Sequence, residues 1–267
     1  MDIQHRNNVR VLGEGRSTLV FSHGFGCDQT MWNYLFERFT DRFRVVMYDL
    51  VGAGQSDLHA YENDKYASLA GYAADLDEVL ERFALGPTII VGHSVSAMIG
   101  VLADRLSPGR IAAHVMIGPS PCYIDAEGYV GGFTQADVHS LLDTLDSNYL
   151  GWSSNMAPVI MGAPGQPALG EELTNSFCRT EPEIAKRFAR VTFLSDNRKD
   201  VAGLATPSLI LQSTDDLIAP VAVGEYLHAS LPNSRLCLVK NVGHCPHMSA
   251  ADACADAMND FLQPWVD

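Results

Sequence analysis

A serine at the apex of a forced turn is the tightest constraint in this chain. Residues 88–91, Thr-Ile-Ile-Val, read as a short β-branched strand. The strand breaks at Gly92-His93-Ser94, and a helix-like segment over 97–106 follows at once. Such a strand–turn–helix needs small residues on both sides of the serine, because the turn is sharp and the helix packs close. Gly92 meets that demand, and Ser96 nearly does, since it adds only a hydroxymethyl group. The turn pushes the Ser94 hydroxyl out at the top of the sheet. Ser94 also has a plain reading as a helix N-cap, where serine is favoured for its bond to backbone N–H.

The pattern around this turn predicts an α/β architecture. Strands are expected at 9–12, 18–22, 43–48, 88–91, 113–117, 208–212 and 235–239. Helices are expected at 28–39, 67–84, 221–230 and 250–262; on 67–84 Leu69, Tyr72, Ala73, Leu76, Val79, Leu80 and Phe83 share one face. Short apolar strands alternating with helices imply a mostly parallel central sheet with helices on both faces. The alternation lapses after Pro121, where 134–149, 151–161, 170–178 and 181–194 read as helices with no strand among them. Thr134 with Asp137, and Thr180 ahead of Glu181-Pro182, are helix-start signals. The expected organisation is one core, 1–121 and 196–267, interrupted by a helical lid at 122–195.

Composition narrows the function. The chain has 267 residues and a net charge of −14, from 32 acidic against 18 basic side chains. That balance repels phosphate backbones and anionic lipid, so nucleic-acid and membrane-surface roles are not expected. The stretch from Met1 to Asn8 is polar and lacks the apolar core of a signal peptide, so cytoplasmic residence is expected. The six cysteines show no C-x-x-C pairs, which argues for free thiols and against a zinc site. Neither a G-x-G-x-x-G run nor a phosphate loop occurs, and no metal or other cofactor is expected.

A serine alcohol is a weak nucleophile until a base takes its proton and a carboxylate orients that base. Asp215-Asp216 lies just after the strand at 208–212, and Gly243-His244 just after the strand at 235–239. Both fall at carboxyl ends of strands, where open parallel sheets bind ligands. Asp216 is preferred to Asp215 because it stands four residues before Pro220. His244 is preferred to His247, which lies past Pro246. Oxyanion donors are expected from the N–H of Val95, after the serine, and of Phe25, in the turn His23-Gly24-Phe25-Gly26. Aromatic and flexible side chains at helical spacing suggest an apolar pocket wall: Phe25, Phe133, Trp152, Met156, Phe188 and Phe193, with Ser195 as a polar contact at the lid edge.

These residues carry a family resemblance. His23 to Trp32, Tyr48 to Asp57, Gly92 to Gly100, Pro119 to Tyr123 and Gly243 to Ser249 resemble the RsbQ-type α/β hydrolases, bacterial stress regulators related to the plant karrikin and strigolactone receptors. Ser96 in place of the usual glycine is shared with the plant receptors. The resemblance spans nearly the whole chain. It implies a four-helix lid over a deep apolar pocket with Ser94, Asp216 and His244 at its floor. It also implies slow hydrolysis of small apolar esters, lactones or enol ethers, and docking of a protein partner. In the bacterial regulator that partner is a phosphatase with a PAS sensor module. A monomer is expected. Perhydrolysis by the same three residues is a further option that product analysis separates.

Overall fold

The computed structural model describes residues 2–266. Met1 and Asp267, the outermost residues of the expected core and of the polar N-terminal stretch, lie outside the described residues. In chain order the elements are α1 (Ile3–Arg6), β1 (Arg10–Leu12), β2 (Thr18–Ser22), β3 (Arg44–Tyr48), α2 (Leu69–Phe83), β4 (Thr88–His93), α3 (Val95–Leu106) and β5 (Ala113–Ile117). Then come α4 (Gln135–Ser147), α5 (Tyr149–Met161), α6 (Pro167–Arg179), α7 (Pro182–Phe193) and α8 (Arg198–Val201). The chain closes with β6 (Ser208–Asp215), α9 (Val221–Ser230), β7 (Ser234–Val242), α10 (Pro246–Ser249) and α11 (Ala251–Leu262).

Among the described residues the strands form one seven-stranded sheet, in the order β1-β3-β2-β4-β5-β6-β7. Only the edge pair β1–β3 is antiparallel. Every residue of β2, β4 and β5 is buried, as a strand covered on both faces requires. Side chains alternate between two apolar layers. Leu19, Phe21, Ile89 and Val91 pack with α11, whereas Val20, Val46, Ile90 and Ile210 pack with α2, α3 and α9.

The segment expected as a helix over 28–39 is instead two 3-10 turns, Gln29–Tyr34 and Phe36–Phe39. Asp28 caps the first by accepting from the Thr30 N–H, and Leu35, at φ −126°, leaves helical geometry between them. The apolar spacing did keep Trp32, Leu35, Phe36 and Phe39 buried; it did not hold the hydrogen bonds to a four-residue step.

Helices α4 to α7 are inserted between β5 and β6. The two ends of this insert meet: Cys122 pairs with Asp196 in an antiparallel bridge, and the Asn197 N–H donates to Pro121 O at 2.7 Å. Thr134 and Asp137 form a reciprocal capping box at the start of α4. At α7 the cap is Glu181 rather than Thr180; its carboxylate accepts from the Ile184 N–H, and Pro182 takes the first helical position. No helix among the described residues is long and apolar enough to cross a membrane.

Candidate active site

Because β2, β4, β6 and β7 run parallel, the residues that follow them gather at one edge of the sheet. Ser94 follows β4 with φ 55° and ψ −124°, a left-handed backbone that is costly for a residue with a Cβ. The turn closes only because Gly92 lacks a Cβ, which would lie 2.7 Å from Ser96 O and 2.8 Å from the Ala97 N. Ser94 does not cap α3 with its side chain.

Its hydroxyl is used elsewhere. His244 Nδ1 lies 2.7 Å from Asp216 Oδ2, and His244 Nε2 lies 2.8 Å from Ser94 Oγ. A carboxylate can only accept, so Nδ1 carries the ring proton and Nε2 accepts from the serine. Asp216 Oδ1 accepts from the N–H groups of Ile218 (2.8 Å) and Ala219 (3.1 Å). Burial alone would raise the Asp216 carboxyl; its electrostatic attraction to His244, the bond to that ring and the two N–H donors outweigh that and hold it below the usual carboxylate range. Asp215 is exposed.

The loop after β2 comes close to this serine. A Cβ on Gly24 would stand 3.3 Å from Ser94 Cβ and only 2.5 Å from the buried His93 Nδ1, so glycine lets the loop come this close. The loop is fixed from behind. His23 Nδ1–H donates to Gly24 O (2.9 Å), its Nε2 accepts from the Leu50 N–H (3.0 Å), and Ser96 Oγ–H donates to His23 O. The insert is fastened to the same loop: Ser176 Oγ–H donates to Gly26 O (3.0 Å), and Arg179 Nη2 pairs with Asp28 Oδ2 (2.9 Å).

Ser94 and His244 open onto a cavity of about 60 Å³ between the sheet edge and the insert. Its wall is apolar, and Phe25 is its centre. The Phe25 ring meets Phe177 at 5.7 Å, Phe193 at 6.1 Å and Trp152 at 6.4 Å between centroids. A model of the alpha/beta hydrolase family matches residues 19–257, a span holding the turn at Ser94, both hydrogen-bond partners in line with it, His244 and Asp216, and the insert.

The chain belongs to the alpha/beta hydrolase family.

Among its curated relatives, karrikin insensitive 2 receptor CA of Petunia hybrida is 37% identical over 94% of this chain and 93% of the relative. Strigolactone esterase D14 of Arabidopsis thaliana is 34% identical over 91% of each. Among solved structures, a hydrolase from Oleispira antarctica superposes with a TM-score of 0.95 at 42% identity, covering 98% of this chain and 96% of that one. These plant relatives belong to the receptor group to which the RsbQ-type hydrolases, the family that the sequence resembles, are related.

Of the pocket residues expected from the sequence, Phe25, Phe133, Trp152, Met156 and Phe193 line the cavity of this hydrolase. Phe188 does not. It lies on the far side of Phe25 (5.8 Å) against Tyr72 (4.7 Å), on the face of α7 turned toward α2. Ser195 does not either: it has turned past the end of α7, where its Oγ–H donates to Thr192 O at 2.8 Å. Sequence reasoning missed Phe177, Leu173, Ile160 and Thr192, which share the expected helices but needed the helix orientations to be found. It also gave no role to Tyr123, whose O–H donates to Ser94 Oγ at 3.3 Å; burial pushes that phenol up to about 12, so it stays protonated. His247 is fully buried, with its ring 4.7 Å from Trp32 and 4.5 Å from His93, and it does not reach Ser94.

Proposed function

We propose that this chain is a serine hydrolase of small apolar esters, lactones or enol-ether-type ligands, working through a covalent intermediate, an acyl-enzyme for the esters and lactones, without a cofactor. The supporting observation is the unbroken chain of hydrogen bonds from Ser94 Oγ through His244 to Asp216, opening onto an apolar cavity. Ser94 Oγ attacks the carbonyl carbon as His244 Nε2 takes its proton. Asp216 holds the ring and stabilises the imidazolium. The oxyanion is met by the N–H groups of Phe25 and Val95, donors at a loop and a helix start. Collapse breaks the ester bond, and His244 returns the proton to the departing oxygen. Water then enters by the same route, with His244 again as base, and releases the acid.

Cavity size supports small substrates. The cavity, about 60 Å³, is lined by apolar side chains and closed over by the insert, which favours short apolar groups over long chains. Turnover of p-nitrophenyl acetate by wild type and by Ser94→Ala tests the reading. A loss of roughly three orders of magnitude is expected in the variant, and equal rates would overturn it.

A second reading is favoured by the receptor named among the relatives: hydrolysis is slow, and the ligand-bound or acylated state docks a signalling protein, such as a PAS-containing phosphatase. The expected signature is a single burst of product followed by slow release, together with ligand-dependent capture of that phosphatase. Rapid multiple turnover with no capture would sink it.

A further inference from the structure

The wall of the cavity beside Ser94 carries no lysine, arginine, aspartate or glutamate among the described residues. Its polar atoms therefore decide what a neutral ligand can offer besides the scissile carbonyl. Two lining side chains keep a buried polar atom without a hydrogen-bond partner: His93, at Nδ1, and Thr192, at Oγ1. His93 Nδ1 is roofed by backbone, since a Cβ on Gly24 would stand 2.5 Å from it. Thr192 has no such explanation.

Thr192 sits in the last turn of α7 and is 1% exposed. A hydroxyl at a helical position ordinarily donates to the carbonyl four residues earlier. The same insert shows this three times: Thr144 donates to Ser140 O (2.8 Å), Ser154 to Leu150 O (2.9 Å) and Thr174 to Gly170 O (2.8 Å). Thr192 makes no such bond. A buried hydroxyl left unpaired is costly, and in a cavity wall it calls for a ligand atom. Its neighbour Phe193 packs on Tyr123 at 5.1 Å, and Tyr123 touches Ser94, so this turn of α7 belongs to the wall that reaches the nucleophile.

We propose that Thr192 Oγ1 is a specificity handle that donates a hydrogen bond to a second oxygen of a small neutral ester or lactone, remote from the carbonyl that Ser94 attacks. The inference rests on the esterase reading and refines it. The partner atom is a carbonyl, ether or hydroxyl oxygen, because nothing in the wall compensates a charged group. Hydrocarbon esters fill the cavity but leave the hydroxyl unpaired.

Thr192→Val keeps the side-chain shape and removes the donor. Wild type and variant are compared on two pairs of esters, each differing by one methylene exchanged for oxygen: p-nitrophenyl valerate against p-nitrophenyl β-methoxypropionate, and butyl acetate against methoxyethyl acetate. Rates are normalised to alkaline hydrolysis. In wild type, the oxygen-bearing member of at least one pair is expected to show a KM lower by roughly three- to tenfold, the worth of one net hydrogen bond. The variant is expected to lose that preference and to melt no earlier than wild type. Identical KM ratios in the two proteins for both pairs would overturn the inference. So would a lower melting temperature in the variant, which would give the hydroxyl a structural partner. Failure of wild type to hydrolyse any of the four esters would remove the esterase reading and this inference with it; turnover with unchanged ratios removes the inference alone.

Discussion

Asp216 Oδ2 lies 2.7 Å from His244 Nδ1, while Asp215, one residue earlier, is exposed. The two carboxylates therefore separate cleanly by mutation. Asp216→Asn keeps the volume but offers His244 the wrong partner, so kcat for ester hydrolysis is expected to fall by roughly 10³–10⁴-fold with KM little changed. Asp215→Asn is expected to stay within about twofold, as an exposed substitution away from the site should. An Asp216→Asn enzyme retaining a tenth of the wild-type kcat would remove the orienting role.

Ser96 is more than a tolerated stand-in for glycine. Its hydroxyl donates to the buried carbonyl of His23, one residue before the Gly24 approach. Ser96→Ala leaves that oxygen without its donor and should cost about 1–3 kcal/mol of stability. Urea unfolding measures it; an unchanged midpoint would mean that the loop is held by His23 alone.

Two buried histidines set an acid limit on stability. Burial and the neighbouring His244 hold His93 down at about 3, and burial and the neighbouring His93 hold His247 well below its ordinary value of 6.5. Both stay neutral in the fold, whereas the unfolded chain protonates them below about 6.5. The unfolded state then binds more protons, so stability falls as pH drops from about 6.5 toward 3, by up to about 1.4 kcal/mol per pH unit for each ring. His247→Phe keeps the packing on Trp32 and should flatten this slope between pH 5 and 6.5, read by denaturant titration at each pH. A slope equal to wild type would place the lost protons elsewhere.

Acyl length should be read by Trp152. It stacks on Phe177 at 6.0 Å and closes the cavity against Phe25. Wild type is expected to prefer acetate to octanoate esters. Trp152→Ala should reverse the order while costing about 3–5 kcal/mol of stability. If octanoate is no better a substrate in the variant, the length limit lies on another wall.

The sheet and the three hydrogen-bonded side chains at its edge were legible because their signals are local. A β-branched run ending in Gly-His-Ser fixes β4 and its turn, and strand ends fix where Asp216 and His244 stand. The capping box at Thr134 was equally local. What the sequence withheld depends on rotation and packing. Helical spacing says that Phe188, Thr192 and Phe193 share a region of α7; it does not say that Phe188 turns toward Tyr72 while the other two turn toward the cavity. Spacing likewise could not tell 3-10 turns from an α-helix between Gln29 and Phe39, because both bury the same aromatic rings.

Helix α6 is fastened at Ser176 and Arg179 to the short loop that also presents the Phe25 amide. Roof and amide are thus two ends of one lever. Under the proposed mechanism, a guest too bulky to sit under α6 would, in lifting that helix, draw the amide away from the atom where negative charge would build. Poor fit would then slow the reaction as well as weaken the grip.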